Sequence, residues 1–441
     1  MIPFQRDALQ HFVEDGEKSP PPVFVGRQAI LKQALIKAKR TGERKRGIPG
    51  NTTVITGAPG AGKSSVLGEL GLRAAQTAGA RVIPIANTDL EQNIPGVLRA
   101  IAVAGSSEPT QWLNFRGRLG WDGIRDLLKT DRSTPTAANL SELEHNQPGV
   151  AFATPVIVAI DEVQRFAPGT TSPPAQFLQQ IHDASTGLPL TLVLAGLGDT
   201  PSVIRSMGLT RGLPRHTLGC FTPDEQAELM ERWCAHFGIT IGGQRGRMDQ
   251  LMVPTDGWPR HVHCAQQATA EALLTPGVDG HADRIPDWRE IQARSDQLRS
   301  LYYETQFSDT MKLSRQLTAH IVKTVAGGQK EWKTIQYDDI LNVADKYTKN
   351  DIPFGWRLPE GETPQSYVTH LIHCGALEEN PETGALACPI PSFQSYILRR
   401  GGGEPTLKTD SPAVKTEGDD PYTPPEPKPP GYEDDDPFNL S

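Results

Sequence analysis

Five short apolar runs punctuate the first half of the chain, at residues 52–56, 80–86, 155–160, 189–195 and 216–221. Each is bounded by turn-forming residues and is too short for a helix, which predicts buried strands. Helical periodicity fills the intervals, over 28–40, 65–75 and 94–103. The polar, mixed stretch 105–149 predicts helices at 121–129 and 140–144. Strands that alternate with helices argue an α/β fold, a parallel sheet with helices on both faces. From Thr222 the pattern turns helical. Thr222 is a fitting N-cap, Pro223 suits the first helical position and Glu225 completes a capping box. Further helices are predicted at 260–274, 287–306, 313–326, 337–346 and 364–374, then two short strands around a turn at 376–387 and a closing helix at 392–400. Three helices and a hairpin form the pattern of a winged helix. A short helix over 7–13 stands in a weakly ordered lead-in. The divisions are 1–22, 23–221, 222–309, 310–400 and 401–441.

Composition refines this picture at the ends. The chain has 441 residues, 37% of them hydrophobic, and no apolar run approaches the roughly 20 residues that span a bilayer. The first residues lack the basic start and apolar core of a signal peptide. Five cysteines, odd in number and scattered, suit a reducing cytoplasm better than a disulfide framework. The formal charge is −8, and residues 401–441 hold ten acidic against three basic side chains, so the body is nearly neutral. That tail is rich in Pro, Gly, Asp and Glu and is expected to be disordered. Lys37, Lys39, Arg40, Arg44, Lys45 and Arg46 cluster before the first strand and read as a solvated basic loop, with nucleic-acid contact the lesser alternative.

Two stretches carry chemistry. Gly57-Ala58-Pro59-Gly60-Ala61-Gly62-Lys63-Ser64 fits G-x-x-x-x-G-K-[ST], the phosphate-binding P-loop, between a strand and a helix as the motif demands. Its glycines let backbone N–H groups wrap an anion, and the following helix, from Ser65 on, adds its positive end. Lys63 is expected to reach the β- and γ-phosphates, and Ser64 to offer its hydroxyl to Mg²⁺. The run Val156-Ile157-Val158-Ala159-Ile160 then carries Asp161 and Glu162 to the carboxyl edge of the sheet, where such folds keep their sites. Asp161 is the expected Mg²⁺ residue. Glu162 is the expected base that orients and deprotonates water.

With these residues the chain resembles the AAA+ ATPases, and within them the branch of origin-recognition proteins, archaeal STAND-type ATPases and transposition ATPases. The matching pieces are Phe24-Val25-Gly26-Arg27, the P-loop, Asp161-Glu162-Val163-Gln164 and Gly257-Trp258-Pro259-Arg260, over about residues 23–274. The resemblance implies an α/β P-loop NTPase core with sheet order 5-1-4-3-2, a helical lid over 222–309 and a C-terminal winged-helix domain. It implies that Gly26 and Arg27 lie near the adenine, and that Arg260 is a sensor-2 arginine. Asn87 matches the polar switch residue that holds the catalytic glutamate idle. Sensor 1 falls to Asp199 or Thr200, because Gly196-Leu197-Gly198-Asp199-Thr200 departs from the usual Asn or Thr placement. An arginine finger comes from Arg211 or Arg215. ATP and Mg²⁺ are the implied ligands, hydrolysis the activity, and DNA, a protein or further copies of the chain the partners. Two other readings stand beside it: a nucleotide-binding signalling module with little turnover, and a DNA-binding regulator liganded by ATP.

Four weaker constellations are mostly set aside. His261, His263 and Cys264 cannot share a metal from one helix face. His370, His373, Cys374 and Cys388 have zinc-ligand chemistry but also suit a packed winged helix. Tyr432 to Phe438 resembles the acidic tip of bacterial single-strand-binding proteins, and a solubilising tail explains it more simply. The helix of Gln365-Ser366-Tyr367-Val368-Thr369-His370 lacks the Arg and Lys that dominate DNA affinity.

Overall fold

β-branched and aliphatic residues build the centre of the molecule. In the computed structural model, which describes residues 2–16, 21–44, 51–85, 94–105, 154–166, 171–185, 188–209, 213–330, 333–347, 356–380, 383–391, 393 and 396, five strands form one parallel sheet. The first elements are α1 (Arg6–Asp15), α2 (Gln28–Arg44), β1 (Thr52–Thr56), α3 (Lys63–Ala78), β2 (Arg81–Ile85), α4 (Ile94–Gly105) and β3 (Val156–Ile160). α5 (Pro173–Ala184), β4 (Leu190–Gly196), α6 (Thr200–Ser206) and β5 (Arg215–Thr217) complete the layer. The strand order is β2-β3-β4-β1-β5, the expected 5-1-4-3-2 read from the other edge. β1, β3 and β4 are buried along their whole length, which is why they read as unbroken apolar runs. One face packs on α2 and α3, the other on α4 and α5.

β1 spends polar side chains to stay buried. Lys37 Nζ donates to Thr52 O at 2.8 Å and to Thr53 Oγ1 at 3.1 Å. Burial pushes its ammonium down to about 8. Lys37 is therefore a strand-anchoring residue and not part of a solvated basic loop, whereas Lys45 and Arg46 lie outside the described residues. β5 is shorter than the predicted 216–221. It pairs with β1 only over Val54 to Thr56, and Leu218 N–H closes the pairing on Thr56 O at 2.7 Å. The chain then crosses away, and Phe221 N–H donates to Gly257 O at 2.7 Å.

A helical layer follows: α7 (Pro223–Phe237), α8 (Arg245–Met252), α9 (Pro259–Leu273) and α10 (Trp288–Gln306). α7 opens on the predicted capping box. Thr222 Oγ1 accepts from Glu225 N–H at 3.2 Å, and the Glu225 carboxylate accepts from Thr222 N–H at 2.8 Å. The core of this layer takes in α1, whose Leu9 and Phe12 pack with Trp233 and Phe237. Gln5 N–H donates to Phe237 O at 2.8 Å. The first residues are thus packed and hydrogen-bonded, contrary to the weakly ordered lead-in expected of them.

The C-terminal module comprises α11 (Ser308–Lys330, kinked at Ser314), β6 (Ile335–Gln336), α12 (Tyr337–Asp345), α13 (Pro364–His373), β7 (Glu378–Glu379) and β8 (Ala385–Ala387). β8 pairs antiparallel with both β6 and β7. Its apolar residues join the core beneath the P-loop, through Tyr303, Phe307 and Phe393. The helices predicted within 105–149, most of the closing helix at 392–400 and the tail lie outside the described residues. Among the described residues no helix is long and apolar enough to cross a membrane.

Candidate functional site: a P-loop under a helical layer

The P-loop leaves β1 and turns into α3. Gly60 has φ +80° and Gly62 φ +90°, angles that side chains rarely tolerate. The crest at Gly60 has a second reason for glycine. A Cβ there would stand 2.7 Å from Arg260 Cβ and 2.9 Å from Tyr302 Oη. Lys63 opens α3 with its side chain buried, and its Nζ donates to Gly57 O at 2.8 Å and Ala58 O at 3.2 Å. Burial lowers its pKa, against the opposing pull of Asp161, Glu162 and Glu378.

The carboxyl end of β3 meets the start of α3. Ser64 Oγ donates to Asp161 Oδ2 at 2.7 Å, and Glu162 N–H donates to Asp161 Oδ1 at 2.9 Å. Glu162 adopts a left-handed backbone, φ 57°, which turns its side chain out of the strand direction. Gln164 Nε2 donates to Glu162 Oε2 at 2.7 Å, and Arg165 Nε lies 2.9 Å from the same oxygen. Gln164 Oε1 in turn accepts from Leu197 N–H at 3.0 Å. One amide therefore ties the glutamate to the end of β4. The donor set suits Mg²⁺, a cation that takes a hydroxyl, a carboxylate and waters.

Over the P-loop stands the first turn of α9. Arg260 N–H donates to Gly60 O at 3.2 Å, and the Arg260 guanidinium lies 5.2 Å from the centroid of the Tyr302 ring. Burial lowers the guanidinium pKa. Trp258 Nε1 and Tyr302 Oη are buried without a hydrogen-bond partner among the described residues, and both face the crest of the P-loop. A cavity of about 650 Å³ opens here, a size that suits a small-molecule ligand. Its walls are Pro59 to Val66, Glu162 and Gln164, Phe24, Val25 and Arg27, and Trp233, Arg260, His263 and Tyr302. Gly26 and Arg27 both have positive φ, and Arg27 stacks over Phe221 at 5.2 Å and donates to Gly219 O. Glu225 packs against Gly26, so the capping box of α7 also fixes this turn.

The remaining expected residues are spread differently. Asn87 and Arg211 lie outside the described residues. Arg215 is exposed at the start of β5 and does not line the cavity. Neither Asp199 nor Thr200 lines it either. Asp199 Oδ2 pairs with His373 Nδ1 at 2.5 Å, and Thr200 is buried beside Gly196 and Gln164. His261 Nδ1 donates to Thr255 O at 3.2 Å, and its Nε2 lies 2.7 Å from Tyr303 Oη. The ring of His263 stands 5.1 Å from that of Phe12. Cys388 Sγ points to Ile390 O at 3.8 Å. Gln164, Tyr302 and Glu378 were not singled out by sequence as site residues, and His373 entered only as a candidate zinc ligand. Gln164 carried a signal, its place in Asp161-Glu162-Val163-Gln164; the others arrive through long-range packing.

No family model and no curated protein sequence matches the chain. Solved structures do match its fold. The ORC2 protein of Aeropyrum pernix, solved as ADPNP–ADP complexes, gives a TM-score of 0.51 at 13% identity, over 88% of this chain and 98% of that one. The Walker-type ATPase of Pyrococcus abyssi gives 0.51 at 16% identity, over 85% of this chain and 96% of that one. At these identities the likeness speaks to architecture: the chain has the fold of AAA+ P-loop ATPases and resembles the origin-recognition branch among them.

Proposed function

We propose that this protein is an ATP-binding and ATP-hydrolysing molecular switch that acts on DNA or on a protein partner. The observation that carries the reading is the convergence of Lys63, the Ser64–Asp161 pair and Glu162 on one cavity, beneath Arg260. Lys63 and the N–H groups of Gly60 to Ser64 bind the phosphates. Ser64 and Asp161 would hold Mg²⁺, which neutralises charge on the transferring phosphoryl group. Glu162 accepts a proton from the attacking water. Gly26 and Arg27 border the base, and Arg260, joined by its own N–H to the P-loop crest, brings the lid down on the phosphates. The ORC2 relative, solved with ADPNP and ADP, is consistent with a site of this kind.

The module of α11 to β8 supports a winged-helix reading, three helices with a three-stranded antiparallel sheet. DNA is the partner we propose for it, with cytoplasmic residence and assembly on ATP as parts of the same reading, Arg211 or Arg215 then reaching a neighbour's nucleotide. A specific observation favours a second reading, a nucleotide-held signalling module with little turnover: Glu162 is engaged by both Gln164 and Arg165.

Lys63→Ala is expected to abolish nucleotide binding. Glu162→Gln is expected to retain ATP while turnover falls by about a hundredfold or more. Equilibrium binding and steady-state phosphate release measure the two, and unchanged turnover in both variants would overturn the ATPase reading. Phosphate release in wild type that stays near zero with and without DNA would select the second reading.

A further inference from the structure

Beyond Arg260 the cavity wall holds three polar atoms without partners among the described residues: Trp233 Nε1, His263 Nε2 and Gln266 Nε2. Arg260 stands on Gly60 through its own N–H. His263 and Gln266, three residues apart, share a face of α9 over its next two turns. At about 1.5 Å per residue, Gln266 lies about 9 Å along the helix from Arg260. Trp233 joins them from α7. All three line the cavity, together with Gly16, Val23 and Leu229. Trp233 is fully buried and Gln266 is 6% exposed, so water does not serve their N–H groups. A buried donor left unpaired costs a fold stability. Three such atoms in the wall of one ligand-sized cavity mark a place where a ligand supplies the partners.

We propose that Trp233, His263 and Gln266 are specificity-determining residues: they read the edge of the nucleobase and make the cavity select adenine over guanine. The proposal rests on the nucleotide-binding reading above, which sets the phosphates on Lys63 and the P-loop. The indole N–H of Trp233 can only donate. It therefore needs a bare ring nitrogen, and adenine offers one at N1 where guanine carries a hydrogen. The carboxamide of Gln266 sets a donor beside an acceptor, the pattern that pairs with N7 and the 6-amino group of adenine. Guanine shows two acceptors on that edge, O6 and N7, which Arg and Lys match. Arg27 also lines the cavity, but it is turned to Gly219 O and to the Phe221 ring. Burial pushes His263 down to about 4, so its ring is neutral and keeps one bare nitrogen for an amino group. A largely apolar wall with a few fixed polar groups is how small-molecule sites set orientation.

The test is titration calorimetry of the full chain with Mg²⁺ and ADP, GDP or inosine diphosphate. Wild type is expected to bind ADP about tenfold or more tighter than GDP, the discrimination that one matched bidentate contact supplies. Inosine diphosphate replaces the 6-amino group of adenine by oxygen and protonates N1. It is expected to bind as weakly as GDP, and it probes the contact from the ligand side with no variant to fold. Gln266→Leu removes an amide whose Nε2 has no bond to lose in the free chain, and Trp233→Phe removes the N–H while keeping a ring. Each is expected to weaken ADP by about tenfold and to leave GDP within about twofold. Inosine diphosphate or GDP bound as tightly as ADP by wild type overturns the proposal while nucleotide binding stands. A preference for ADP that survives intact in both variants overturns it too, because the selection then lies elsewhere in the cavity. A wild-type chain that binds none of the three overturns the nucleotide reading itself, and this one with it.

Discussion

At the scale of single residues the site is decided by short contacts that leave no room for substitution. Gln164 is the clearest case. Its amide spans the gap between Glu162 Oε2 and Leu197 N–H, with only 7% of the residue exposed. Gln164→Ala is expected to leave Leu197 N–H buried and unpaired, at a stability cost of about 1–3 kcal/mol. It also frees the glutamate, so kcat is expected to fall about tenfold or more while the nucleotide dissociation constant holds. Denaturant unfolding and steady-state kinetics on the same preparation separate the two effects. A loss confined to nucleotide affinity would show that Gln164 does not position Glu162. The residues legible in advance were those whose chemistry is written locally. Gly57 to Ser64 and Asp161-Glu162 each form a motif on one strand end. Tyr302 could not be read that way. It meets the P-loop from an element more than two hundred residues downstream, and nothing near it in sequence marks the contact. Lys37 misled for the opposite reason. A lysine in a basic cluster looks solvated until the neighbouring strand is seen to need its donors.

At the scale of elements, α9 carries two histidines that hold the helical layer neutral. Burial pushes His261 down to about 3 and His263 down to about 4, with nearby Arg299 and Arg260 adding to the effect. Both values lie below the unfolded value of about 6.5, so the unfolded chain binds more protons between these limits. The stability they confer is complete above about pH 6.5 and is lost as the pH falls toward 4, on the order of a few kcal/mol for the pair. Urea unfolding at pH 7 and pH 4.5 measures the loss, and His261→Gln is expected to flatten it. A stability that does not change across that interval would contradict the burial of these rings. α7 illustrates how far sequence reading goes for elements. Its start was legible because Thr222, Pro223 and Glu225 make a local cap. The end of β5 was not, because strand length depends on how much of β1 offers a free edge.

At the scale of the whole molecule, the alternation of strands and helices announces the parallel sheet and the family resemblance its strand order, whereas nothing in the sequence announces that Gly16 to Arg27 and His370 to Cys374 border one cavity. The His373–Asp199 pair joins the C-terminal module to the far end of β4, and its hydrogen bond to Asp199 raises the His373 pKa. A raised folded value means that the pair's contribution is complete below about pH 6.5 and is lost as the pH rises through the folded pKa. His373 is half exposed, which limits the effect to about 1 kcal/mol or less. Hydrogen exchange over residues 364–387 is therefore expected to speed up beyond its intrinsic rise when wild type is taken from pH 6 to pH 9, and not in His373→Ala. Equal changes in both proteins would remove the pair from the docking contact. The packing of α1 on α7 and α9 has a practical corollary of another kind. Ala8 lies on the exposed side of α1 while Leu9 and Phe12 are sunk among Trp233 and Phe237. A fluorophore attached at position 8 would travel as a rigid passenger of the helices that carry Arg260. It would show in real time whether that layer moves when nucleotide is added, as the proposed switch requires, from a place outside the cavity.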